Sequence, residues 1–373
     1  GRALRFPTVE DPSPALAGAV TDRIWPCVML QWEWLGGLPV MRRAAVVGAG
    51  SWGTGLAVML ARAGIDVDLG CRTRAQADLM AATRLNERYL PGIELPKRVR
   101  PVRAADLELS RHDLVAFAVP AAELPATVAA HGPAILSRTG VLVLSKGLVP
   151  PLGTLPSAYV AERTRAWAAG VLGGPAHAAD ALNDGASLVL AAHDRAFARQ
   201  VSDALSAAGL QVDHTGDVVG VELAGCAKNA AALAAAAVGA AGPNAAGAAA
   251  GKVFSEIDAY ARRSGSLPET FAGLAGTGDL VATVLAEGSR NRRAGELLAQ
   301  GMPADQICDA LGQTAEAVAA VPLLAARLKD AGVAAPVLNG LAGIIEGRVE
   351  PARWTAALTA PRPVKPVRTV KAA

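Results

Sequence analysis

The chain has 373 residues, of which 52% are hydrophobic and 18% are charged. This length exceeds what one ordinary hydrophobic core needs, and the composition excludes wholesale disorder, so two globular domains are expected. The formal net charge of +3 includes four basic residues within 361–373, a stretch without acidic residues, so the rest of the chain carries −1. The composition therefore argues against nucleic-acid binding, which usually needs a clustered basic face on the folded part.

The four cysteines are widely spaced and form no C-x-x-C pair, which argues against a disulfide framework or a metal site and fits a reducing compartment. No apolar run reaches the ~18 residues that a membrane-spanning helix needs. We therefore expect a soluble cytoplasmic protein without a metal ion and without stable membrane insertion. The cysteines are Cys27, Cys71, Cys226 and Cys308.

The two ends of the chain differ from the rest. Residues 1–40 lack sustained periodicity and precede Met41, which lies directly before the first predicted strand. We expect 1–40 to be a non-native or disordered extension, with a surface-packed extension as the alternative. The basic tail 361–373 contains Pro363 and Pro366 and is expected to be disordered.

Residues 41–214 alternate between short apolar runs and helical patterns, which is typical of a parallel sheet covered by helices. We predict an α/β Rossmann domain with a parallel, doubly wound sheet, and a helix over 51–63 directly after the first strand. The predicted strands span 44–47, 67–69, 114–119, 141–144 and 187–192.

Residues 215–360 change in character, because they are rich in alanine and show no strand-like alternation. An all-α C-terminal domain is therefore predicted, with small-residue helix faces that make a homodimer plausible. The predicted helices span 215–241, 252–263, 291–298, 304–311 and 315–328.

Three glycines follow the first predicted strand in the pattern G-x-G-x-x-G. Gly48 would form the tight turn, Gly50 would let the backbone approach a pyrophosphate, and Gly53 would allow close packing of helix and strand. The helix that opens at Ser51 and Trp52 would point its free N–H groups at the phosphates. The strand–turn–helix context predicts a dinucleotide site.

The end of the second predicted strand bears on the choice of dinucleotide. Sites for NAD usually carry an acid there, about 20 residues after the glycines. This chain has Arg72 after the strand, whereas Asp68 lies inside it. Arg72 has the right charge for the 2′-phosphate of NADP, so acceptance of NADP is expected, with a solvated surface arginine as the alternative.

Reduction of a carbonyl needs a proton donor at the oxygen as well as a hydride. Lys228 is the only lysine between Lys146 and Lys252, and it lies in the alanine-rich helix next to Asn229. A buried lysine near another cation has a lowered pKa and can exchange protons near neutral pH. Lys228 is therefore a candidate general acid/base, although a lone lysine on a helix is more often solvated.

The sequence around Lys228 resembles the corresponding segment of the NAD(P)-dependent glycerol-3-phosphate dehydrogenases. Over residues 42–360, further segments resemble that family, in the same order and with nearly the same spacing. The blocks are Gly48-Ala49-Gly50-Ser51-Trp52-Gly53-Thr54, Asn86 with Tyr89-Leu90-Pro91-Gly92, Ser145-Lys146-Gly147, Gly174-Pro175, Val221 to Asn229, Ala275-Gly276-Thr277-Gly278-Asp279-Leu280, Ser289-Arg290-Asn291-Arg292-Arg293 and Gly312-Gln313 with Glu316.

The resemblance implies a Rossmann domain joined to an α-helical domain and the reversible NAD(P)H-dependent reduction of dihydroxyacetone phosphate to sn-glycerol 3-phosphate, the backbone of phospholipids. It implies catalytic roles for Lys228, Lys146 and Asp279. The implied substrate-binding residues are Lys146, Gly174, Lys228, Asp279, Ser289, Arg290 and Asn291. The implied cofactor-binding residues are Gly48, Gly50, Ser51, Trp52, Gly53, Arg72, Lys146, Ala178, Arg290 and Glu316.

The chain departs from the family pattern at several positions. Ala176 stands where the family usually has threonine or serine, so a hydroxyl expected near the substrate is missing. His177 stands in place of a phenylalanine and reads as an ordinary loop histidine. Gly251-Lys252-Val253 replaces a Thr-Arg-Gly segment. Loss of one hydrogen bond to a charged substrate costs about 1.5–3 kcal/mol, which lowers affinity but is compatible with activity.

Two other functions stay open. A degenerate relative could bind NAD(P) as a sensor or binding protein without turnover, which the change at Ala176 motivates and the retained Lys146, Lys228, Asp279 and Arg290 oppose. A dehydrogenase of the β-hydroxyacid or ketopantoate type would also use a lysine on the interdomain helix but would lack the Ser289–Asn291 block.

Overall fold

The computed structural model describes residues 41–175, 177–286 and 288–360. The expectations for residues 1–40, for the tail 361–373 and for Ala176 fall outside the described residues. Along the described chain, a sheet with flanking helices is followed by a region that contains helices alone. This is the order that the sequence predicts.

Of the ten strands in the described residues, eight form one sheet and the remaining two form a separate hairpin. The strands are β1 (Arg43–Val47), β2 (Asp66–Cys71), β3 (Leu85–Asn86), β4 (Leu90–Glu94), β5 (Val99–Arg103), β6 (Leu114–Phe117), β7 (Gly140–Val143), β8 (Ala168–Gly173), β9 (Ser187–Ala192) and β10 (Gln211–Thr215). The sheet has the order β10-β9-β8-β7-β6-β1-β2-β5, and β3 pairs with β4. Its neighbours are parallel except β8 and β9, which run antiparallel. The predicted doubly wound sheet is therefore confirmed, with one antiparallel pair in addition.

Fifteen α-helices lie in the described residues. They are α1 (Ser51–Arg62), α2 (Arg74–Thr83), α3 (Leu124–His131), α4 (Pro156–Arg163), α5 (Ala178–Asn183), α6 (Arg195–Ala207), α7 (Val218–Ala237), α8 (Pro243–Arg263), α9 (Pro268–Ala272), α10 (Asp279–Leu285), α11 (Arg290–Ala299), α12 (Ala304–Leu311), α13 (Glu316–Asp330), α14 (Pro336–Ile345) and α15 (Pro351–Thr359).

The sheet is buried on both faces. Along β1, Ala44 and Val46 belong to one hydrophobic core and Ala45 and Val47 to the other. Strands covered on both faces read as continuous apolar runs, which is why the sequence predicts these inner strands.

The sequence did not predict the two edge strands, the inner strand β8 or the hairpin strands β3 and β4. The edge strand β5 contains exposed arginines and Pro101, and β10 at the opposite edge is polar and half-exposed. Both edge strands lack the apolar run that predicted β1, β2, β6, β7 and β9. Proline is tolerated at such a position because an edge strand leaves some backbone groups unpaired.

The parallel strands bring several loops to one edge of the sheet. Residues Val47, Phe117 and Val143 lie at equivalent positions in register near the carboxyl ends of β1, β6 and β7. The chain order reverses between β1 and β6, so this edge contains the topological switch point where ligands of open α/β sheets bind.

The described residues after Thr215 contain no strand, which confirms the predicted all-α region. α7 starts at Val218 because the Asp217 carboxylate accepts a hydrogen bond from the Gly220 N–H and caps the helix. α8 starts nine residues earlier than predicted. Its first residue is Pro243, which is favourable at that position, and the glycines that follow hid the helix in the sequence.

α7 is the central helix of this region. Among the described residues it is the one helix long and apolar enough to cross a membrane, yet 83% of its apolar window is buried inside the protein. One hydrophobic core continues from Val171 in the sheet to Val221 in α7. The boundary between residues 214 and 215 stays a prediction.

Candidate active site

Three charged side chains meet beside the carboxyl edge of the sheet. The Asp279 carboxylate lies between two ammonium groups: its Oδ2 is 2.6 Å from Lys146 Nζ and its Oδ1 is 3.1 Å from Lys228 Nζ. Asp279 is 3% exposed, and both lysines are largely buried. The predicted catalytic residues are therefore brought together in one cluster, which we call the charge cluster.

Each member of the charge cluster comes from a different element. Lys146 lies in the loop after β7, Lys228 lies in the middle of α7, and Asp279 is the first residue of α10. A π-helical turn over Leu274–Gly278 leads into α10 and sets the direction from which Asp279 enters. Gly225, one turn before Lys228, faces the aliphatic part of Lys146, which a Cβ at this position would approach to 3.3 Å.

Lys228 has the protonation behaviour expected of a general acid/base. Burial lowers the pKa of Lys228, the Lys146 charge lowers it further, and Asp279 raises it in part, which leaves a pKa of about 8. Its Nζ also donates a hydrogen bond to Thr283 Oγ1 at 2.9 Å. An ammonium with this pKa can release and regain a proton near neutral pH.

Asp279 stays ionised in spite of its burial. Burial alone raises the pKa of Asp279, but the charges and hydrogen bonds of Lys146 and Lys228 outweigh it and hold the pKa below its usual value. Two cations therefore share one anion. The cluster keeps a positive charge, which suits an anionic substrate.

The predicted substrate residues Ser289, Arg290 and Asn291 lie at the start of α11. Ser289 caps this helix, Arg290 Nη1 donates to the Thr314 carbonyl oxygen at 3.2 Å, and Asn291 Oδ1 accepts from the Ala317 N–H at 3.2 Å. These contacts use an acceptor of Ser289, an acceptor of Asn291 and one N–H of Arg290. Each side chain keeps at least one further donor group for an anionic ligand.

The segment after β8 reaches the same edge of the sheet. Gly174 has φ +102°, a conformation that L side chains rarely adopt, and a Cβ there would lie 3.0 Å from the Ser187 carbonyl oxygen. Ala178, at the start of α5, is buried against Gly55 of α1. Ala176, whose missing hydroxyl the sequence analysis singled out, lies outside the described residues.

The glycine loop after β1 has the features of a pyrophosphate site. Gly48 has φ +113° and a Cβ there would lie 2.6 Å from the Ala118 carbonyl oxygen, while a Cβ on Gly53 would collide with the Gly48 carbonyl. Gly50 differs, because its backbone is extended and a Cβ would meet nothing within 4 Å. No side chain caps α1, so its first N–H groups are available to phosphate oxygens beside Gly50. These residues fit a dinucleotide.

Ser51 and Trp52 open α1 at this loop, and Trp52 packs on the neighbouring core. Asn86 holds the loop from outside: its Nδ2 donates to the Ala49 carbonyl oxygen at 3.1 Å and to Thr54 Oγ1 at 2.7 Å. The sequence analysis gave Asn86 no role. Asn86 belongs to one of the family-like blocks of the sequence, and its contacts show that it supports the glycine loop.

The end of β2 carries an arginine and no acid. Arg72 is exposed, and its guanidinium makes no hydrogen bond or ion pair within the described part of the chain. The Asp68 carboxylate is bound by Arg100 at 2.7 Å and by His112 at 3.1 Å. Asp68 is therefore committed to structural contacts within the sheet region.

Two further residues border the charge cluster. Glu316, at the start of α13, accepts hydrogen bonds from the backbone N–H groups of Ala121 and Lys146. His177 lies near the charge cluster: burial, followed by the charge of Lys228, lowers the pKa of His177. The sequence analysis treated His177 as an ordinary loop residue.

Thr283 is a site residue that the sequence analysis missed. It lies four residues after Asp279 on α10, so both side chains share a helix face, and its Oγ1 contacts both Lys228 and Asp279. The spacing of Asp279 and Thr283 was the signal that could have found it.

The chain is similar to known proteins over most of its length. The family model described as NAD-dependent glycerol-3-phosphate dehydrogenase N-terminus matches residues 43–198, and the corresponding C-terminus model matches residues 217–356. The glycerol-3-phosphate dehydrogenase [NAD(P)+] of Variovorax paradoxus is 36% identical over 336 residues, which cover 86% of this chain and 98% of that protein. The corresponding protein of Thiobacillus denitrificans is 37% identical and covers 81% of this chain and 93% of its own length.

Among solved structures, the glycerol-3-phosphate dehydrogenase of Coxiella burnetii superposes with a TM-score of 0.80 at 28% identity. The match covers 86% of this chain and 99% of that structure. The likeness therefore extends over the sheet region and the helical region together.

Proposed function

The chain belongs to the NAD-dependent glycerol-3-phosphate dehydrogenase family, and from this premise we propose that it reduces dihydroxyacetone phosphate to sn-glycerol 3-phosphate with Lys228 as general acid/base. The reaction consumes NAD(P)H and one proton and is reversible. The observation that carries the proposal is the bridge of Asp279 between Lys146 and Lys228. This arrangement places a proton donor, Lys228, and a second positive charge, Lys146, together in one buried site.

NAD(P)H, when bound, supplies the hydride that adds to the carbonyl carbon of the substrate. Lys228, protonated below its pKa of about 8, donates a proton to the carbonyl oxygen, which becomes the hydroxyl group of the product. Asp279 orients Lys228 through the 3.1 Å ion pair, and Thr283 adds a second contact. In the oxidation direction, neutral Lys228 takes the proton back.

The substrate carries a phosphate dianion at one end, a carbonyl on its central carbon and a hydroxyl group at the other end. Lys146 polarises the carbonyl, and Ser289, Arg290 and Asn291 bind the phosphate through their remaining donors. A guanidinium group and amide donors suit phosphate recognition. Gly174, whose backbone lies close to β9, lines the same space.

The glycine loop holds the dinucleotide. Arg72 would contact the 2′-phosphate of NADP, so that NADP is accepted as well as NAD. The resemblance also implies that Glu316 contacts the cofactor. The residues assigned to the cofactor are Gly48, Gly50, Ser51, Trp52, Gly53, Arg72, Lys146, Ala178, Arg290 and Glu316.

The cellular setting follows from the same activity. Glycerol 3-phosphate is the backbone of phospholipids, so the enzyme supplies glycerophospholipid synthesis from the cytoplasm. The enzyme acts as a soluble homodimer, without nucleic-acid partners or stable membrane insertion.

The decisive experiment follows NAD(P)H absorbance with dihydroxyacetone phosphate and identifies the product as sn-glycerol 3-phosphate. Lys228→Ala gives the background rate. Arg290→Ala should mainly raise the KM for the phosphorylated substrate, because the lost contact is made to a charged group. Tight cofactor binding with no oxidation above the Lys228→Ala rate would favour the sensor instead. Turnover of a non-phosphorylated keto acid would favour the ketopantoate type.

A further inference from the structure

Lys146 is held at three different atoms by three different helices. Its Nζ is 2.6 Å from Asp279 of α10, its carbonyl oxygen accepts a hydrogen bond from Asn229 Nδ2 of α7 at 3.0 Å, and its N–H donates to Glu316 Oε2 of α13 at 3.3 Å. Lys146 itself lies in a loop, outside any helix or strand. Its position therefore depends on these contacts from the helical region.

Glu316 ties together two loops at the carboxyl edge of the sheet. Its Oε2 accepts a hydrogen bond from the N–H of Lys146, in the loop after β7. Its Oε1 accepts one from the N–H of Ala121, in the loop after β6, at 3.2 Å. Gly147 leaves room for this arrangement, because a Cβ there would lie 3.2 Å from the Ala121 Cβ and 3.7 Å from Glu316 Oε1. Both carboxylate oxygens are thus used on backbone groups of the sheet region.

We infer that Glu316 is a positioning residue for Lys146: its carboxylate, with the amide of Asn229 on the other side, fixes the Lys146 peptide so that the ammonium reaches Asp279 and the substrate. The inference rests on the proposed function, since positioning matters only where Lys146 meets a substrate. A role for Glu316 at the cofactor alone would leave Lys146 unaffected.

The consequence of losing this contact extends through the charge cluster. A shift of the Lys146 loop moves one of the two ammonium groups that share Asp279, and Asp279 is also the ion-pair partner of Lys228. Displacement of a catalytic group by about 1 Å can cost on the order of 100-fold in rate. The effect of removing Glu316 should therefore appear in the chemistry with dihydroxyacetone phosphate.

Two variants test the inference. Glu316→Gln keeps the shape but replaces one acceptor oxygen by an amide group that cannot accept, whereas Glu316→Ala removes both acceptors. At saturating NADPH, kcat/KM for dihydroxyacetone phosphate should fall about 10-fold in the glutamine variant and about 100-fold in the alanine variant. The Kd of NADPH, measured by nucleotide fluorescence, should change less than about threefold in the glutamine variant. A weakened Kd with unchanged kinetics at saturating NADPH would overturn the inference in favour of a cofactor contact alone.

Glu256 of α8 provides a matched control. Its carboxylate also accepts from two backbone N–H groups, those of Val337 at 3.0 Å and Leu338 at 2.8 Å, but it belongs to no part of the charge cluster. Glu256→Gln should leave kcat/KM unchanged. An equal loss in Glu256→Gln and Glu316→Gln would show general destabilisation and overturn the inference.

Backbone hydrogen exchange separates this inference from the proposed function. In the free wild-type enzyme the segment 145–147 should be protected, and Glu316→Gln should speed its exchange without changing the exchange of α14. This readout needs no turnover. Faster exchange in a protein that does not reduce dihydroxyacetone phosphate would reject the proposed function alone, whereas unchanged exchange in an active enzyme would reject the positioning of Lys146.

Discussion

The two halves of the site are built in different ways. The glycine loop is local: a turn, an extended residue and a helix start within the six residues from Gly48 to Gly53. The charge cluster is assembled over distance, because Lys146 and Asp279 are 133 residues apart in sequence and Lys228 enters on a third element. A local motif can bind the cofactor by its backbone alone. A catalytic cluster of side chains depends on the packing of both regions of the molecule.

This contrast predicts that removal of a single charge from the charge cluster strongly lowers the catalytic rate. Asp279→Asn leaves two buried ammonium groups without their shared anion, so the pKa of Lys228 should fall below about 8 and less of the general acid should be protonated at pH 7.5. We expect kcat to fall by about 10²–10⁴-fold, the range for loss of general acid–base catalysis, with partial recovery at lower pH. Steady-state kinetics between pH 6 and pH 9 measure both effects.

Asp258→Asn is the control for this prediction, since Asp258 pairs with Arg262 on the surface of α8. It should leave kcat and its pH dependence unchanged. An Asp279→Asn variant with normal kcat would remove Asp279 from the mechanism.

The glycine loop should respond to substitution in two separable ways. At Gly50 a methyl group fits the protein but occupies the space assigned to pyrophosphate, so Gly50→Ala should weaken NADPH binding by about 10-fold or more and leave the free energy of unfolding nearly unchanged. At Gly48 the positive φ and the Ala118 carbonyl make alanine strained, with an expected loss of about 1–3 kcal/mol in stability.

Isothermal titration with NADPH and chemical unfolding of both variants distinguish these effects. Normal NADPH affinity in Gly50→Ala would mean that the dinucleotide does not approach this loop.

Arg72 concerns the selectivity of the cofactor site between NADP and NAD. Removal of a guanidinium that contacts a phosphate costs about 1.5–3 kcal/mol, so Arg72→Ala should weaken NADPH binding by about 10- to 100-fold and leave NADH binding unchanged. The ratio of kcat/KM for the two cofactors measures this selectivity. An equal effect on NADPH and NADH would make Arg72 a solvated surface residue.

The smallest expected effect concerns stability around the helix that carries Lys228. Glu222 of α7 is buried and accepts hydrogen bonds from the N–H and Oγ of Ser157, and burial raises the pKa of Glu222 to about 7. A carboxyl whose pKa is raised on folding stabilises the fold at low pH, and this stabilisation is lost as pH rises through about 7. Glu222→Gln keeps the neutral shape and should therefore raise the Tm above pH 8 by a few degrees, with little change at pH 5. An unchanged Tm at both pH values would contradict the raised pKa.

The sequence predicts features that depend on local residue patterns better than features that depend on tertiary pairing. Inner strands such as β6 and the glycine loop depend on local residue patterns, and both were found. Tertiary pairing determines the edge strands β5 and β10 and the antiparallel direction of β9 relative to β8. The local sequence of a polar or alanine-rich segment does not reveal such pairing. In the same way Lys228 and Asp279 were proposed by resemblance, Asn86 was named without a role, and Thr283 is identified only by the atoms that it contacts.

The pH dependence of the reaction in both directions tests the central claim most directly. If Lys228 with a pKa of about 8 is the general acid/base, kcat/KM for reduction of dihydroxyacetone phosphate should fall above about pH 8, and kcat/KM for oxidation of sn-glycerol 3-phosphate should rise through the same pH. Lys228→Ala should keep only a slow residual rate without this opposed pair of profiles. Profiles that are flat through pH 8, or that persist in Lys228→Ala, would contradict the assignment of Lys228 and with it the mechanism.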